Sequence, residues 1–260
     1  MKINNLVIMV TCVLFISYSE KGNKDLTKSE FAFIKPGTYI IGSPLGEQGR
    51  WPKGEEDIRK VKTSGFYISR TEITEQQYYS VVNPFKCENA SNNLPVVNVS
   101  WIEALQYCNL RSRLEGFQEV YEIPAKGNIE LKDINIIQGA NGYRLPNIDE
   151  WEIACRAGSR TAYYTGKSIS PTQANYNSSG RIAVASFSPN KFGLYDMCGN
   201  VCEWCYRNEY FAMYKGGSWN SSDIQFLRSS SVGFTDANRK NSYTGFRVVI
   251  NAISDVTMPH

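Results

Sequence analysis

The chain has a single histidine, His260, at its last position. No zinc, iron or copper centre built on several imidazoles can be assembled from it, and most histidine acid–base chemistry goes with that option. An excess of charge is also missing. Twenty-eight Lys and Arg against 25 Asp and Glu leave a formal +3 with the two signs interspersed. No polyanion-binding face is implied, and no nucleic-acid partner. After the first nineteen residues no apolar run approaches the length of a bilayer-crossing helix. Helix signals themselves run out beyond Gly158, where Gly, Ser, Asn and Tyr dominate for about ninety residues.

The N-terminus reads as an export signal over 1–19. Lys2 supplies the positive start, Leu6 to Ile16 the apolar stretch, and Ser17-Tyr18-Ser19 a small-x-small cleavage site followed by polar Glu20 to Asp25. The competing reading is an ordinary buried first element. Cys12 sits inside the apolar run behind Met9-Val10-Thr11, a poor lipid-attachment box, so a lipoprotein is the minor alternative. The predicted localisation is exported: periplasm, cell surface or medium. No membrane span remains after cleavage. Residues 20–30 form a linker, 31–251 one domain and 252–260 a tail. Removing Cys12 leaves Cys87, Cys108, Cys155, Cys198, Cys202 and Cys205. An even set in an oxidising compartment permits disulfides, but sequence cannot choose among the pairings.

Local signals give a mixed α+β domain. Strand-like runs at Phe31 to Ile34, Thr38 to Ile41 and Gly65 to Ser69 are punctuated by Pro36-Gly37 and Gly42. Three capping boxes mark helix starts: Thr74 with Gln77, Ser100 with Glu103, and Asn147 with Glu150. Their stops are Asn83-Pro84, Gly116 and Gly158. The segment 118–139 reads as a hairpin-type insertion turning at Pro124 and Gly127, and Phe246 to Ile250 as a closing strand. Trp101, Trp151 and Trp204 read as core anchors and Arg247 as an internal partner. Aromatics at 13% suit either a recognition surface or an aromatic-rich core.

Several ordered stretches carry a resemblance. They include Phe66-Tyr67-Ile68 with Thr71-Glu72-Ile73-Thr74, Leu94-Pro95-Val96-Val97-Asn98-Val99-Ser100-Trp101, and Gly142-Tyr143-Arg144-Leu145-Pro146 with Glu150-Trp151-Glu152. Phe192-Gly193-Leu194-Tyr195-Asp196-Met197, Gly199-Asn200-Val201 with Glu203-Trp204, Gly216-Gly217-Ser218-Trp219 and Gly245-Phe246-Arg247 continue the series. Over residues 31–251 the chain resembles the sulfatase-modifying-factor, or formylglycine-generating enzyme, family. The resemblance implies an irregular, loop-rich variant of the C-type-lectin fold.

It also implies an activity, the copper(I)-dependent oxidation of a sulfatase cysteine by two cysteines that follow the Gly-Gly-Ser motif. Those positions fall on Ser221 and Phe226, and no Cys lies between Met213 and His260. A hydroxyl and a phenyl ring cannot replace the soft thiolates that select copper(I), so copper is not expected and no catalytic residue is assigned. Iron-dependent relatives of the same fold need three histidines. Cys108 and Cys155 match two family cysteines whose partner positions, taken together, fall near Ser231 and on Val248, so the family's disulfides cannot form. Calcium is the cofactor the resemblance allows, through Cys198, Gly199, Val201 and Glu203, with plain hydrogen bonding by Glu203 as the alternative. A second family calcium site would use Asn175 and Tyr176, but its Asp is missing. The spacing Cys198, Cys202, Cys205 is a remote option for zinc.

Three functions are open. The leading one is a non-catalytic domain binding a protein or small-molecule ligand at 219–243, a stretch dense in Asn, Ser, Asp, Phe and Tyr. Trp219, Asn220, Ser221, Phe226, Arg228 and Tyr243 are its candidate contacts, Trp219 and Arg228 foremost because aromatic and Arg side chains dominate interface energetics. A formylglycine-generating oxidase and a structural subunit of an envelope complex are the alternatives.

Overall fold

The computed structural model describes residues 29–50, 57–125, 129–207 and 211–252. The predicted signal segment and Gly127 lie outside them, as does most of the tail. In chain order the elements are β1 (Phe31–Ile34), β2 (Gly37–Ile41), β3 (Arg59–Thr63), β4 (Phe66–Ser69), α1 (Glu75–Val82), α2 (Pro84–Cys87), α3 (Trp101–Leu114), β5 (Tyr121–Glu122), β6 (Asn135–Ile136), α4 (Ile148–Arg156), β7 (Cys202–Cys205), β8 (Ala212–Lys215), β9 (Gly233–Thr235), β10 (Thr244–Gly245) and β11 (Val249–Asn251). Short 3-10 turns occupy Leu131–Asp133 and Ile224–Leu227.

The helix starts follow from side-chain chemistry. Thr74, Ser100 and Asn147 each accept the N–H three residues on, and Gln77, Glu103 and Glu150 each return a bond to the cap's own N–H. Two of the amides that a helix start leaves unpaired are thereby satisfied at each site. The stops also hold. Asn83 caps α1 directly before Pro84, α3 ends one residue short of Gly116, and Ala157 adopts a left-handed conformation just before Gly158.

Two sheets organise the rest. β4 is the middle strand of an antiparallel sheet ordered β1-β4-β11, and every residue of β4 is buried. The other sheet runs β10-β7-β8-β9, with β10 parallel to β7. The insertion closes as the β5–β6 pair, with Tyr121 opposite Ile136. Asn109 of α3 holds it by accepting from the amides of Val120 and Tyr121 and donating to the Tyr121 carbonyl.

Trp101, Trp151 and Trp204 are almost wholly buried. Each indole N–H has a partner: the Cys205 carbonyl for Trp101, the Val99 carbonyl for Trp204 and the Glu203 carboxylate for Trp151. Burial of a tryptophan is favourable only when that donor is satisfied.

The closing strand differs from expectation. Phe246 to Ile250 is not one strand: Thr244–Gly245 belongs to one sheet and Val249–Asn251 to the other. The three residues between them cross from sheet to sheet, sending Phe246 and Val248 into apolar core and Arg247 toward a carboxylate. Alternation of apolar residues could not reveal that the middle residue has its own buried partner.

Replacing Ser100 by Ala should remove the α3 cap and cost about 1 kcal/mol. The urea midpoint should fall while the m-value stays unchanged.

Candidate functional site

A cavity of about 360 Å³ lies between β7, β8, β9 and the segment that follows Gly216-Gly217. Gly217 has φ +66°, and a Cβ there would stand 2.9 Å from Leu227 Cδ1 and 3.1 Å from the Phe226 carbonyl. Glycine is therefore required for the backbone to pass under the 3-10 turn that carries Phe226. Ser218 to Ser221 form a tight turn: the Ser221 N–H reaches the Ser218 carbonyl at 2.9 Å, and the Ser218 N–H reaches Ser221 Oγ at 3.0 Å.

The lining combines aromatic walls, Tyr214, Phe226, Phe234 and Tyr243, with the hydroxyls of Ser218, Ser221 and Ser231. Phe226 and Phe234 are both well exposed. One charged side chain, Lys215, occurs among the described lining residues. It is buried, 3.3 Å from Glu152 Oε2 and 3.3 Å from the Ser230 carbonyl. Burial alone would raise the Glu152 carboxyl, but Lys215 and Arg156 hold it below its ordinary range. The cation is thus already neutralised, and the cavity is polar without presenting net charge. Cys202 is the lining thiol. Burial pushes it up to about 12 despite a hydrogen bond with Ser218, which leaves it protonated and a poor nucleophile at neutral pH.

The candidate contacts separate into two groups. Asn220, Ser221, Phe226 and Tyr243 line the cavity. Trp219 is half-buried, donates its indole N–H to the Ser242 carbonyl at 3.2 Å and does not line it. Arg228 is a correction, being 1% exposed rather than at the surface. Its guanidinium meets Glu47 at 2.9 Å, the Gly49 carbonyl at 2.5 Å and the Gln225 carbonyl at 3.1 Å, and so fastens the 47–49 loop to the 3-10 turn. A buried arginine must place its donors on carbonyls and carboxylates, and these do so completely enough to bury it. Sequence reasoning named Cys202 only for its cysteine spacing and did not single out Tyr214 or Phe234. Cys202 and Tyr214 belong to other strands, and Phe234 lies inside the 219–243 segment without being picked out of it.

Behind the cavity lies a buried charge cluster. Glu203 and Arg247 form a two-pronged pair, Nε to Oε2 and Nη2 to Oε1, both at 2.6 Å. Glu203 Oε2 also accepts the Trp151 indole at 2.6 Å. The remaining donors of Arg247 reach the carbonyls of Ser69, Arg70 and Tyr195. Beside them Glu72 accepts from the Asn200 amide at 3.0 Å, and Asp196 accepts from the Ala185 N–H at 2.6 Å. Each carboxylate keeps one buried oxygen without a hydrogen bond, Glu72 Oε2 and Asp196 Oδ1. Burial raises Glu72 well above the usual carboxylate range, with Asp196 and Glu203 adding to it. Burial likewise carries Asp196 from 3.8 to about 6 against the opposing Ala185 N–H and Arg247.

This arrangement does not fit calcium at Cys198, Gly199, Val201 and Glu203. The carboxylate such a site needs is already held on both oxygens by a guanidinium and an indole N–H. The alternative reading of Glu203 as a hydrogen-bonding residue matches the geometry. At the second family position, Asn175 gives its carbonyl to the Asn200 N–H and its amide to Gly180. Cys198, Cys202 and Cys205 do not converge either: no group of three or more His, Cys, Asp or Glu among the described residues is placed to hold a metal.

The mixed, irregular helix-and-sheet architecture is that of the formylglycine-generating, C-type-lectin-like fold. It superposes on Treponema denticola variable protein 1 with a TM-score of 0.73 at 22% identity, covering 85% of this chain and 95% of that one. The chain belongs to the sulfatase-modifying factor enzyme 1-like domain family, whose profile matches residues 18–252. It is 30% identical over 236 residues to the chaperone protein LppX of Paenibacillus barcinonensis, covering 76% of this chain and 84% of that protein. It is also 30% identical over 204 residues to the inactive C-alpha-formylglycine-generating enzyme 2 of Mus musculus, covering 65% of each. No helix among the described residues is long and apolar enough to cross a membrane.

The raised Asp196 carboxyl has a measurable consequence. Its contribution to stability is fully present below 3.8 and is lost as pH rises through about 6. Asp196→Asn should flatten that dependence. The change in unfolding free energy between pH 4.5 and pH 8 should shrink by roughly 1 kcal/mol or more relative to the unmodified chain, measured by urea titration at both pH values.

Proposed function

We propose that this chain is an exported, non-catalytic recognition domain that takes a protein or small-molecule ligand at the cavity walled by Tyr214, Phe226, Phe234 and Tyr243. The observation that carries the reading is chemical. Ser221 and Phe226 hold the positions where the family resemblance expects copper-binding cysteines, and both line this cavity. Copper(I) oxidation of a substrate thiol needs a pair of soft thiolates. The cavity's lining offers the single buried, strongly protonated thiol of Cys202. What it offers in quantity is exposed aromatic surface beside neutral hydroxyls, the composition of an adaptable binding face.

The relatives are consistent with a fold whose chemistry is dispensable, since one bears the name of a chaperone and another of an inactive enzyme. Export rests on the signal-like segment at 1–19. Calcium has no place in this reading, because the Glu203 carboxylate is committed to Arg247.

Two measurements test it. Oxygen uptake with a sulfatase-motif cysteine peptide and copper(I) should stay at the protein-free rate; turnover would sink the non-catalytic reading. Panning a displayed peptide library on the folded chain should enrich binders that lose about tenfold or more in affinity on a Phe226→Ala, Tyr243→Ala double variant, in line with the cost of truncating aromatic anchors. Binders indifferent to both substitutions would place recognition elsewhere.

A further inference from the structure

We propose that the outer edge of β9 takes an extended segment of a partner polypeptide as an added strand. The inference rests on the cavity being a recognition site, because Gly233 and Phe234 of β9 also line that cavity. β9 is the last strand in the order β10-β7-β8-β9. Its ladder with β8 pairs Ala212 with Thr235, Met213 with Phe234 and Tyr214 with Gly233. Antiparallel ladders alternate hydrogen-bonded and unbonded pairs. A ladder of this length begins and ends on bonded pairs, so Thr235 and Gly233 face β8 and Phe234 turns its N–H and C=O outward. The β7–β8 ladder agrees: it begins and ends on Lys215 and Met213, which leaves Ala212 and Tyr214 for β9. No backbone hydrogen bond from another described segment meets Val232 or the outward side of Phe234.

The opposite end of the same sheet is closed. A Cβ on Gly245 of β10 would stand 2.3 Å from the Val96 carbonyl oxygen, so the 94–98 segment lies against that side. The β9 edge has no such cover among the described residues. Folded proteins usually blunt an open edge with lysine, proline or a bulge, because unpaired backbone groups template a further strand. Residues 232–235 read Val-Gly-Phe-Thr, and the register with β8 is unbroken. None of the usual guards is present.

Both faces beside the edge are aromatic. A Cβ at Gly233 would stand 2.2 Å from Tyr214 Cε2, so glycine is what lets that ring lie across β9. On the other face Phe234 is 62% exposed, and its ring centroid lies 5.5 Å from that of Phe211, itself 52% exposed. Side chains of an added strand alternate between the two faces. One set meets Tyr214 and the next meets the Phe211–Phe234 pair. The outward donor and acceptor of Phe234 are matched by a peptide backbone, which supplies both from one residue. Aromatic neighbours across a strand pair favour aromatic or β-branched partners. The segment that fits is therefore extended, uncharged where it crosses Phe234, and aromatic or β-branched there.

The test pans a displayed library of linear peptides on the full folded chain, then resynthesises the most enriched peptide with a single N-methyl group moved along its backbone. Every second N–H of an added strand faces β9, so methylation at alternate positions should lower affinity about tenfold or more, with the positions between them binding like the parent. Amide hydrogen exchange read by NMR should show the Phe234 N–H slowed by the peptide. The Gly233 and Thr235 amides, already held by β8, should change little. Losses that do not alternate, an unslowed Phe234 amide, or a library that yields no linear binder would overturn the proposal. The cavity reading is judged separately by the Phe226→Ala, Tyr243→Ala double variant. Peptides weakened by that variant without the alternation remove the edge and keep the cavity; peptides that alternate yet ignore the variant keep the edge and remove the cavity.

Discussion

Arg247 enters the core at 0% exposure with a full guanidinium to satisfy, and the molecule is arranged around that requirement. Glu203 takes two of its N–H groups, and the carbonyls of Ser69, Arg70 and Tyr195 take the rest. Those partners come from the end of β4, from the loop before β7 and from β7 itself. One side chain therefore fastens the β1-β4-β11 sheet to the β10-β7-β8-β9 sheet. Trp151 of α4 joins the same carboxylate through its indole N–H, bringing in the third capped helix. Buried ion pairs are not inherently stabilising, because desolvation offsets much of the attraction. The value of this one lies in its geometry: few other arrangements of these strands would satisfy every donor.

The same pair shapes what can happen nearby. By holding both oxygens of Glu203 it withdraws the carboxylate that a cation would need. It also leaves Glu72 and Asp196 sharing a buried region with only part of one positive charge between them, and their raised carboxyls follow. On the same face of β7 and β8, where Lys215 stands opposite Glu203, the Lys215–Glu152 contact neutralises the lysine that reaches the cavity wall. The result is a cavity of aromatic rings and hydroxyls backed by a salt-bridged wall. Under the proposed function, such a surface serves recognition.

Much of the scaffold was legible locally because its signals act over three or four residues. Each capping box is a closed exchange between Thr74 and Gln77, Ser100 and Glu103, or Asn147 and Glu150, and each opened the expected helix. The insertion at 118–139 paired as its spacing suggested. The site was only partly legible. Asn220, Ser221, Phe226 and Tyr243 came from one polar, aromatic segment and converged. Arg228 came from the same segment and turned inward, because its partners Glu47 and Gly49 lie far away in sequence. No local pattern distinguishes an arginine that binds a ligand from one that binds a distant loop.

Sequence by itself determined the family, the α+β class and the starts of the three capped helices, and through the family resemblance it pointed to Ser221 and Phe226 at the expected copper positions. These are properties of residue identity and short-range hydrogen bonding. Only the tertiary structure decided that Glu203 faces Arg247 rather than a metal ion, that Phe246 to Val248 cross from one sheet to the other, and that Arg228 turns inward to Glu47. Each of those outcomes depends on contacts between segments separated by forty or more residues. The energy of such a contact does not exist until the chain has closed on itself.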